Sequence, residues 1–252
     1  MKNRQAYVKV AVIVAIIGTV LLILLSVLLN GEQEKRDPMI VRFHDVMYSL
    51  ASDEYKYHAK EEIMETDTNG TILSISENEY YNNHNNFLII KKYEEQDKEF
   101  HELMHDGYYY SYDLEGEAYH INKQEMSNGF YARPIIHVSR SYFALDDKYI
   151  TYEEVEDGYL FQCDNQTKVG TGYDSNGETI SHVCDSARAE IYLDKDWKIQ
   201  KINVVEEWTQ MNEDGIKSEY INNISLIFYD MSEQSICDKI NEEHEFFESL
   251  LK

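Results

Sequence analysis

Proline is nearly absent from this chain, two residues in 252, tryptophan at two is as scarce, and cysteine at three is little commoner. So little proline argues against a stiff stalk, and 21 tyrosines argue against disorder and for extended, half-buried strands. Basic charge is also scarce, with 23 Lys and Arg against 47 Asp and Glu and a formal net charge of -24. Binding along phosphate backbones draws on clustered Lys and Arg, so the composition excludes nucleic acid as a partner and disfavours docking flat on an anionic lipid surface. The acid excess reads as solubility and mutual repulsion rather than a dedicated cation site.

Three cysteines allow one bridge and leave one thiol over. Cys163 and Cys184 flank NQTKVGTGYDSNGETIS, a polar segment with the look of a long hairpin loop that a disulfide would close. Cys237 falls on a predicted helix as a small buried hydrophobe.

Long apolar runs are lacking too, except one. The twenty uncharged residues Val10 to Leu29, VAVIVAIIGTVLLILLSVLL, would reach about 30 Å as a helix, the thickness of a bilayer core. Lys2, Arg4 and Lys9 precede the run and no cation stands among residues 30 to 34, which by the positive-inside rule sets the N-terminus in the cytoplasm. A cleaved signal peptide is the alternative; its apolar core is shorter and ends at a small-x-small site, which Ser26 to Asn30 lacks. The expected layout is a tail over 1–9, a transmembrane anchor over 10–29, a charged linker over 30–37 and one extracellular α+β domain over 38–252. Such a chain would be a single-pass protein of a bacterial cell membrane.

Asp37-Pro38 supplies an N-cap followed by proline at the first helical position, and Met39, Phe43, Val46, Met47 and Leu50 continue as one apolar stripe. Beyond it, six of the eleven glycines follow Asn or Asp, at Gly70, Gly107, Gly129, Gly158, Gly177 and Gly215, and these pairs are hairpin signals that make the chain a meander. Extended stretches are expected near 55–66, 71–82, 87–94, 108–113, 117–122, 149–156, 159–164, 188–193, 197–208 and 216–229. In the last, Ile216, Tyr220, Ile224, Leu226 and Phe228 share one face opposite a polar one, the mark of an antiparallel sheet buried on one side. A closing helix is expected over 233–251, with Cys237, Ile240, His244, Phe247 and Leu251 on its apolar stripe and His244 as a structural histidine.

The chain holds one enzyme-like motif. His101-Glu102-Leu103-Met104-His105 matches H-E-x-x-H, which binds zinc only when a helix sets both histidines on one face. Asp106-Gly107 turns the chain at once, no third ligand follows at the usual spacing, and on a strand the two histidines would stand about 13 Å apart. A strand running into a hairpin is the expected structure, with no catalytic, metal or cofactor-binding residue assigned and no cofactor. Asp194-Lys195-Asp196 lacks the glycine and distal glutamate of a calcium loop and reads as a turn. Asn69, Asn165 and Asn223 head N-x-S/T triplets that matter only in a eukaryotic secretory pathway.

Three segments carry a resemblance: HDGYYYSYD from His105 to Asp113, RAEIYLDKDWKIQKINV from Arg188 to Val204, and NNISLIFYDMSEQSI from Asn222 to Ile236. Together with the order helix, hairpin, Asp-Gly turn and tyrosine-rich strand, they resemble the LolA-like superfamily of periplasmic lipoprotein carriers and surface-anchored relatives. That resemblance implies a curved antiparallel sheet, a half-barrel, wrapped on one or two helices around an apolar cavity. It departs from the carriers in keeping an apolar N-terminal run and from the lipoproteins in lacking a lipidated cysteine. The expectation is a non-enzymatic, membrane-anchored binding domain for a lipid, a lipidated protein or an apolar ligand. The alternative is an assembly or sensory scaffold for a protein partner, with a zinc hydrolase through HELMH third.

Overall fold

The computed structural model describes residues 36–51, 56–84, 86–93, 98–115, 118–126, 146–165, 168–173, 179–211 and 215–252. The chain divides into two compact units, 1–41 and 42–252. Of the first unit, residues 36–41 are described. They open helix α1 (Pro38–Ala51), where the Met39 backbone N–H donates to Asp37 Oδ1 at 2.8 Å and that of Val41 to the Asp37 carbonyl at 3.0 Å. Asp37 is thus the expected N-cap, with proline at the position whose missing N–H costs nothing.

The second unit is built on one sheet, which among the described residues has twelve strands. They are β1 (Tyr57–Asp67), β2 (Ile72–Asn83), β3 (Asn86–Tyr93), β4 (Lys98–His105), β5 (Tyr108–Glu115), β6 (Ala118–Glu125), β7 (Ile150–Val155), β8 (Gly158–Asn165), β9 (Lys168–Tyr173), β10 (Thr179–Asp194), β11 (Ile199–Met211) and β12 (Lys217–Tyr229). The spatial order is β6-β5-β4-β3-β2-β1-β12-β11-β10-β8-β7, with β9 paired to the near half of β10, and every pairing is antiparallel. The chain therefore meanders outward from β1, resumes at the far edge with β7, and returns until β12 lies beside β1. Short turns drive the meander. At the β4–β5 hairpin Asp106 and Gly107 take φ of 49° and 83°, the left-handed pair that suits a tight turn between twisted strands.

Alternation gives the sheet two faces. On the face toward α1, Ala59 stands in one row with Phe228, Ile63 with Ile224 and Val204, and Ile191 with Ile202 and Phe161; nearly all are fully buried. From Arg42 onward α1 packs here: the Phe43 ring stacks on Phe161 with centroids 4.3 Å apart, and the Arg42 guanidinium lies 4.4 Å above the Trp197 ring. The opposite face receives helix α2 (Glu233–Leu250), capped by Ser232, whose hydroxyl accepts from the Ser235 N–H at 3.1 Å. Ile236, Ile240 and Phe247 of α2 bury against Tyr81, Leu88, Ile90, Leu103, Tyr110 and Tyr112.

These observations correct the expected fold class. The structure is a large open antiparallel sheet with two helices, and among the described residues no helix is long and apolar enough to cross a membrane. The physical reasons are plain. Helix α1 has 14 residues, about 21 Å, short of a bilayer core of about 30 Å; α2 carries Glu233, Asp238, Lys239, Glu242, Glu243, Glu245 and Glu248, each costly in hydrocarbon. The anchor expected over 10–29 lies outside the described residues. The single-pass membrane location and the membrane partnership rested on that span and are corrected with it.

Candidate functional site

The two helices cover different parts of the sheet, and the polar chemistry gathers around α2. Its stripe runs Ile236, Ile240, Glu243, Phe247, with a carboxylate among apolar side chains. Glu243 is 8% exposed and His101 of β4 is 5% exposed. His101 Nδ1 lies 2.6 Å from Glu243 Oε1 and its Nε2 lies 2.5 Å from Glu99 Oε1, so both ring nitrogens face a carboxylate while the ring stacks on Tyr112. Partial burial pushes the Glu99 carboxyl up, but the hydrogen bond and charge of His101, aided by Lys92, outweigh it and leave Glu99 below its ordinary range.

Further along α2, His105 and His244 stack with centroids 4.0 Å apart, His105 Nε2 lies 3.1 Å from Asn241 Oδ1, and the Tyr110 hydroxyl donates to Glu248 at 2.9 Å. Lys123 of the edge strand β6 donates to the same Glu248 oxygen at 2.5 Å. Burial, and then the neighbouring His105, push the His244 imidazole below its ordinary value, with Glu248 opposing. Side by side, these contacts hold α2 on β4, β5 and β6.

The first turns of α2 reach β1 and β2, where Lys56 pairs with Glu233 and Asn83 Nδ2 donates to Cys237 Sγ at 2.8 Å. On the same face, β12, β1, β2 and β3 present a cavity of about 330 Å³ lined by Lys60, Glu62, Glu77, Glu79, Lys92 and Ile227 among others. At its inner end His58 of β1, stacked on Tyr81, sits 2.7 Å from Glu79 Oε1, which also accepts from the Tyr81 hydroxyl at 2.8 Å. The His58 hydrogen bond, working against burial and helped by Tyr81, holds the Glu79 carboxyl down at about 2. Ile227 and Tyr229, which line the cavity, remain 40% and 44% exposed, and Val205 of β11, 43% exposed, stands on the same face opposite Asn223, four residues along β12 from Ile227. A second cavity, of about 510 Å³, lies at the end of β12 between Lys56, Asp194, Lys198 and Asp230.

The residues singled out in the sequence fall as follows. HELMH lies in β4, the strand expected of it, and a rise of four residue steps separates the two histidines by about 13 Å. Each is engaged separately with α2, and among the described residues no group of three or more His, Cys, Asp or Glu is arranged to hold a metal. Cys163 and Cys184 are free thiols, both buried. Cys163 of β8 pairs with Ala189 of β10, while Cys184 sits five residues away along β10 beside Lys168 and Trp208, a separation of about 16 Å. Burial and the nearby Asp164 push the Cys163 thiol up to about 12. Asp194-Lys195-Asp196 is the expected turn, with Asp194 Oδ1 accepting from the N–H groups of Asp196 and Lys198 at 2.9 Å each.

Two polar clusters escaped the sequence reading. One is the His101–Glu243 pair, for which a signal existed: Glu243 lies three residues from Ile240 and four from Phe247, on the apolar stripe itself. The other is Glu61, 1% exposed on the α1 face, where its Oε2 accepts from the Tyr80 hydroxyl at 2.6 Å and from Asn78 at 2.8 Å. Its position between Ala59 and Ile63 in the alternation marked it as inward.

No family model matches the chain, and no characterised protein matches its sequence. Among solved structures, one similar chain is the LolA superfamily protein NE2245 from Nitrosomonas europaea, at 8% identity over 75% of this chain and 94% of that one, with a TM-score of 0.27. It belongs to the superfamily that the three segments resemble; at this score the likeness defines neither the fold nor the ligand of the present chain.

Proposed function

We propose that residues 42–252 form a non-catalytic binding domain that receives a protein partner on the part of the sheet beside α2. The observation that carries this reading is the cavity of about 330 Å³ over β12, β1, β2 and β3, bordered by exposed Ile227 and Tyr229, with Val205 of β11 exposed on the same face. Apolar side chains left open beside a groove are a common feature of interaction sites. Site-specific photocrosslinking from position 205 in the native cell tests it. A discrete adduct from Val205 that is absent when the crosslinker stands at Tyr152 on edge strand β7 is the expected result; adducts indistinguishable between the two positions would sink the reading.

A second reading, an apolar or lipidated ligand, is supported by a different observation. Helix α2 covers an apolar floor of Leu88, Leu103, Tyr110 and Tyr112, and if α2 lifts, that floor is offered to an acyl chain. The space is filled by Phe247, Ile240 and Ile236 in the structure, so ligand and helix would compete. A native mass spectrum of the full chain decides: added mass on the order of a lipid supports it, and a bare chain after exposure to lipid counts against it.

A further inference from the structure

Helix α2 is fastened to the sheet by two kinds of polar contact, and acid acts on them in opposite directions. Along residues 233–243 the contacts are attractive: Lys56 pairs with Glu233, Asn83 Nδ2 donates to Cys237 Sγ at 2.8 Å, and Glu243 Oε1 lies 2.6 Å from His101 Nδ1. Glu99 Oε1 stands 2.5 Å from the other nitrogen of that ring, so a proton taken up by His101 is flanked by two carboxylates and draws the helix in. Beyond Glu243 the arrangement reverses. His244 of α2 stacks on His105 of β4 with centroids 4.0 Å apart, and a positive charge on each ring pushes helix and strand apart.

The groups around this pair soften the repulsion without cancelling it. Asp106 Oδ2 lies 3.5 Å from His105 Nδ1, and Asn241 Oδ1 lies 3.1 Å from its Nε2. Glu248 Oε1 lies 3.7 Å from His244 Nε2, but the same oxygen already accepts from the Tyr110 hydroxyl and from Lys123, whose ammonium brings another positive charge to the cluster. Burial and then His105, with Lys123 behind them, outweigh Glu248 and Asp106 and leave the His244 imidazole less basic than usual. The apolar anchoring is uneven as well. Ile236 and Ile240 are buried before Glu243, and Phe247 is the buried apolar side chain after it.

We infer that α2 is a pH-sensitive cover hinged near Glu243: protonation of His105 and His244 favours opening of residues 244–250 while residues 233–243 stay docked. Phe247 keeps the closed form dominant at either pH, so acid raises a minor open population and leaves the resting fold unchanged. Opening bares Leu103, Tyr110 and Tyr112, and a ligand that needs this floor binds more tightly by the factor by which the open fraction grows. That last step rests on the apolar-ligand reading above; the opening itself does not.

The test compares the full chain at pH 7.5 and 5.5 by hydrogen exchange, read by mass spectrometry on overlapping fragments and expressed as protection factors, which remove the intrinsic pH dependence of exchange. Protection of residues 244–248 is expected to fall about tenfold at the lower pH, the scale of two like charges about 4 Å apart and largely screened by water. Residues 233–243 and strands β10 to β12 are expected to hold their protection. His244→Gln and, from the strand side, His105→Gln should each abolish the difference. His44→Gln, which removes an imidazole beside Asp147 on α1, should keep it. Thermal melts check that each variant is folded. Nile red, a neutral apolar probe, should bind the parent chain about tenfold more tightly at pH 5.5 and His244→Gln equally at both pH values.

Unchanged protection of 244–248, or an equal loss along all of α2, would overturn the proposal. A loss that persists in both histidine variants, or vanishes in His44→Gln, would put the titrating group elsewhere and overturn it too. So would Nile red binding that tightens equally in His244→Gln. If protection falls as expected while Nile red affinity stays constant, the cover stands and the apolar-ligand reading fails.

Discussion

His105 of β4 and His244 of α2 stack in parallel, ring centroids 4.0 Å apart and planes within 6° of each other. Two imidazoles held so close cannot both take a proton without repulsion, and around them stand Tyr110, Lys123, Asp106, Asn241 and Glu248. A pH dependence follows. His244 has its basicity lowered in the folded state by burial and by His105, so the unfolded chain binds the proton more readily. By linkage, this contribution to stability is intact above the ordinary histidine value near 6.5 and is lost as pH falls below it. Denaturant midpoints should drop between pH 7.5 and 5.5, and His244→Gln should flatten that slope. An unchanged slope in the variant would assign the effect elsewhere.

Glu79 predicts a second, more acid step. Its carboxyl is held at about 2 by His58, so its contribution is present above the unfolded value and is lost as pH falls from about 4.5 toward 2. Carbon-detected NMR titration of the carboxyl should show a midpoint well below that of a free glutamate, and Tyr81→Phe should raise it. A midpoint near 4.5 would mean that the His58 contact is not formed in solution.

Gly158 opens β8 opposite Asp194, and a Cβ built there would stand 2.0 Å from the Leu193 carbonyl oxygen. The atom struck is backbone in a paired strand and cannot swing aside. Gly158→Ala should cost about 1–3 kcal/mol of stability, the range of overpacking changes. Urea unfolding of the variant, read by tryptophan fluorescence, checks it, and a neutral result would show that β8 and β10 can part at this end.

Phe247, fully buried, is the largest apolar contact of α2 with the sheet and packs on Tyr110 and Tyr112. Phe247→Ala should destabilise the domain by about 3–5 kcal/mol. Hydrogen exchange should rise first in 233–250, before the long strands β10 to β12. Uniform acceleration over the whole sheet would indicate that helix and sheet unfold as one unit.

The cysteines make a simple chemical prediction. All three thiols are free in the structure, Cys163 and Cys184 buried and Cys237 half-buried. Alkylation after denaturation without reductant should add three labels, whereas the native protein should react slowly, and most slowly at Cys163. A mass with a single label would instead indicate a bridge between Cys163 and Cys184.

Most of the meander was legible because turn chemistry is local. Asp106-Gly107 announces a hairpin through two positive φ values, and Asp37-Pro38 announces a helix start through a cap and a fixed φ. Where neighbours distant in sequence decide, the reading loosened. Residues 93–106 have helix-forming composition, yet 98–105 form a strand because Ile90 and Tyr112 flank His101 on either side. Strand β10, expected from Arg188, begins at Thr179, since β9 returns to pair with its first half. On α2 the buried stripe is carried by Ile236 and Glu243 rather than Cys237 and His244, because the Ser232 cap sets the helix phase and the sheet's own histidines supply a partner for the carboxylate. An apolar run of twenty residues indicated a membrane anchor by length alone, and neither helix that the structure describes has that character.

The adjacency of β1 and β12 has a consequence for how the protein is made. The pairing of His58 with Tyr229 and of Asp67 with Tyr220 joins the two ends of the domain at the middle of its sheet. A ribosome delivers β1 through β6 long before β12, so the growing chain carries half a sheet whose long inner strand is open along one side. Completion waits for the last strands and for α2, which follows them. Such non-local closure makes folding slow and leaves an exposed strand edge in the meantime. A nascent chain stalled before β12 would therefore be the species most in need of a chaperone, and a truncation there would aggregate rather than remain half-folded.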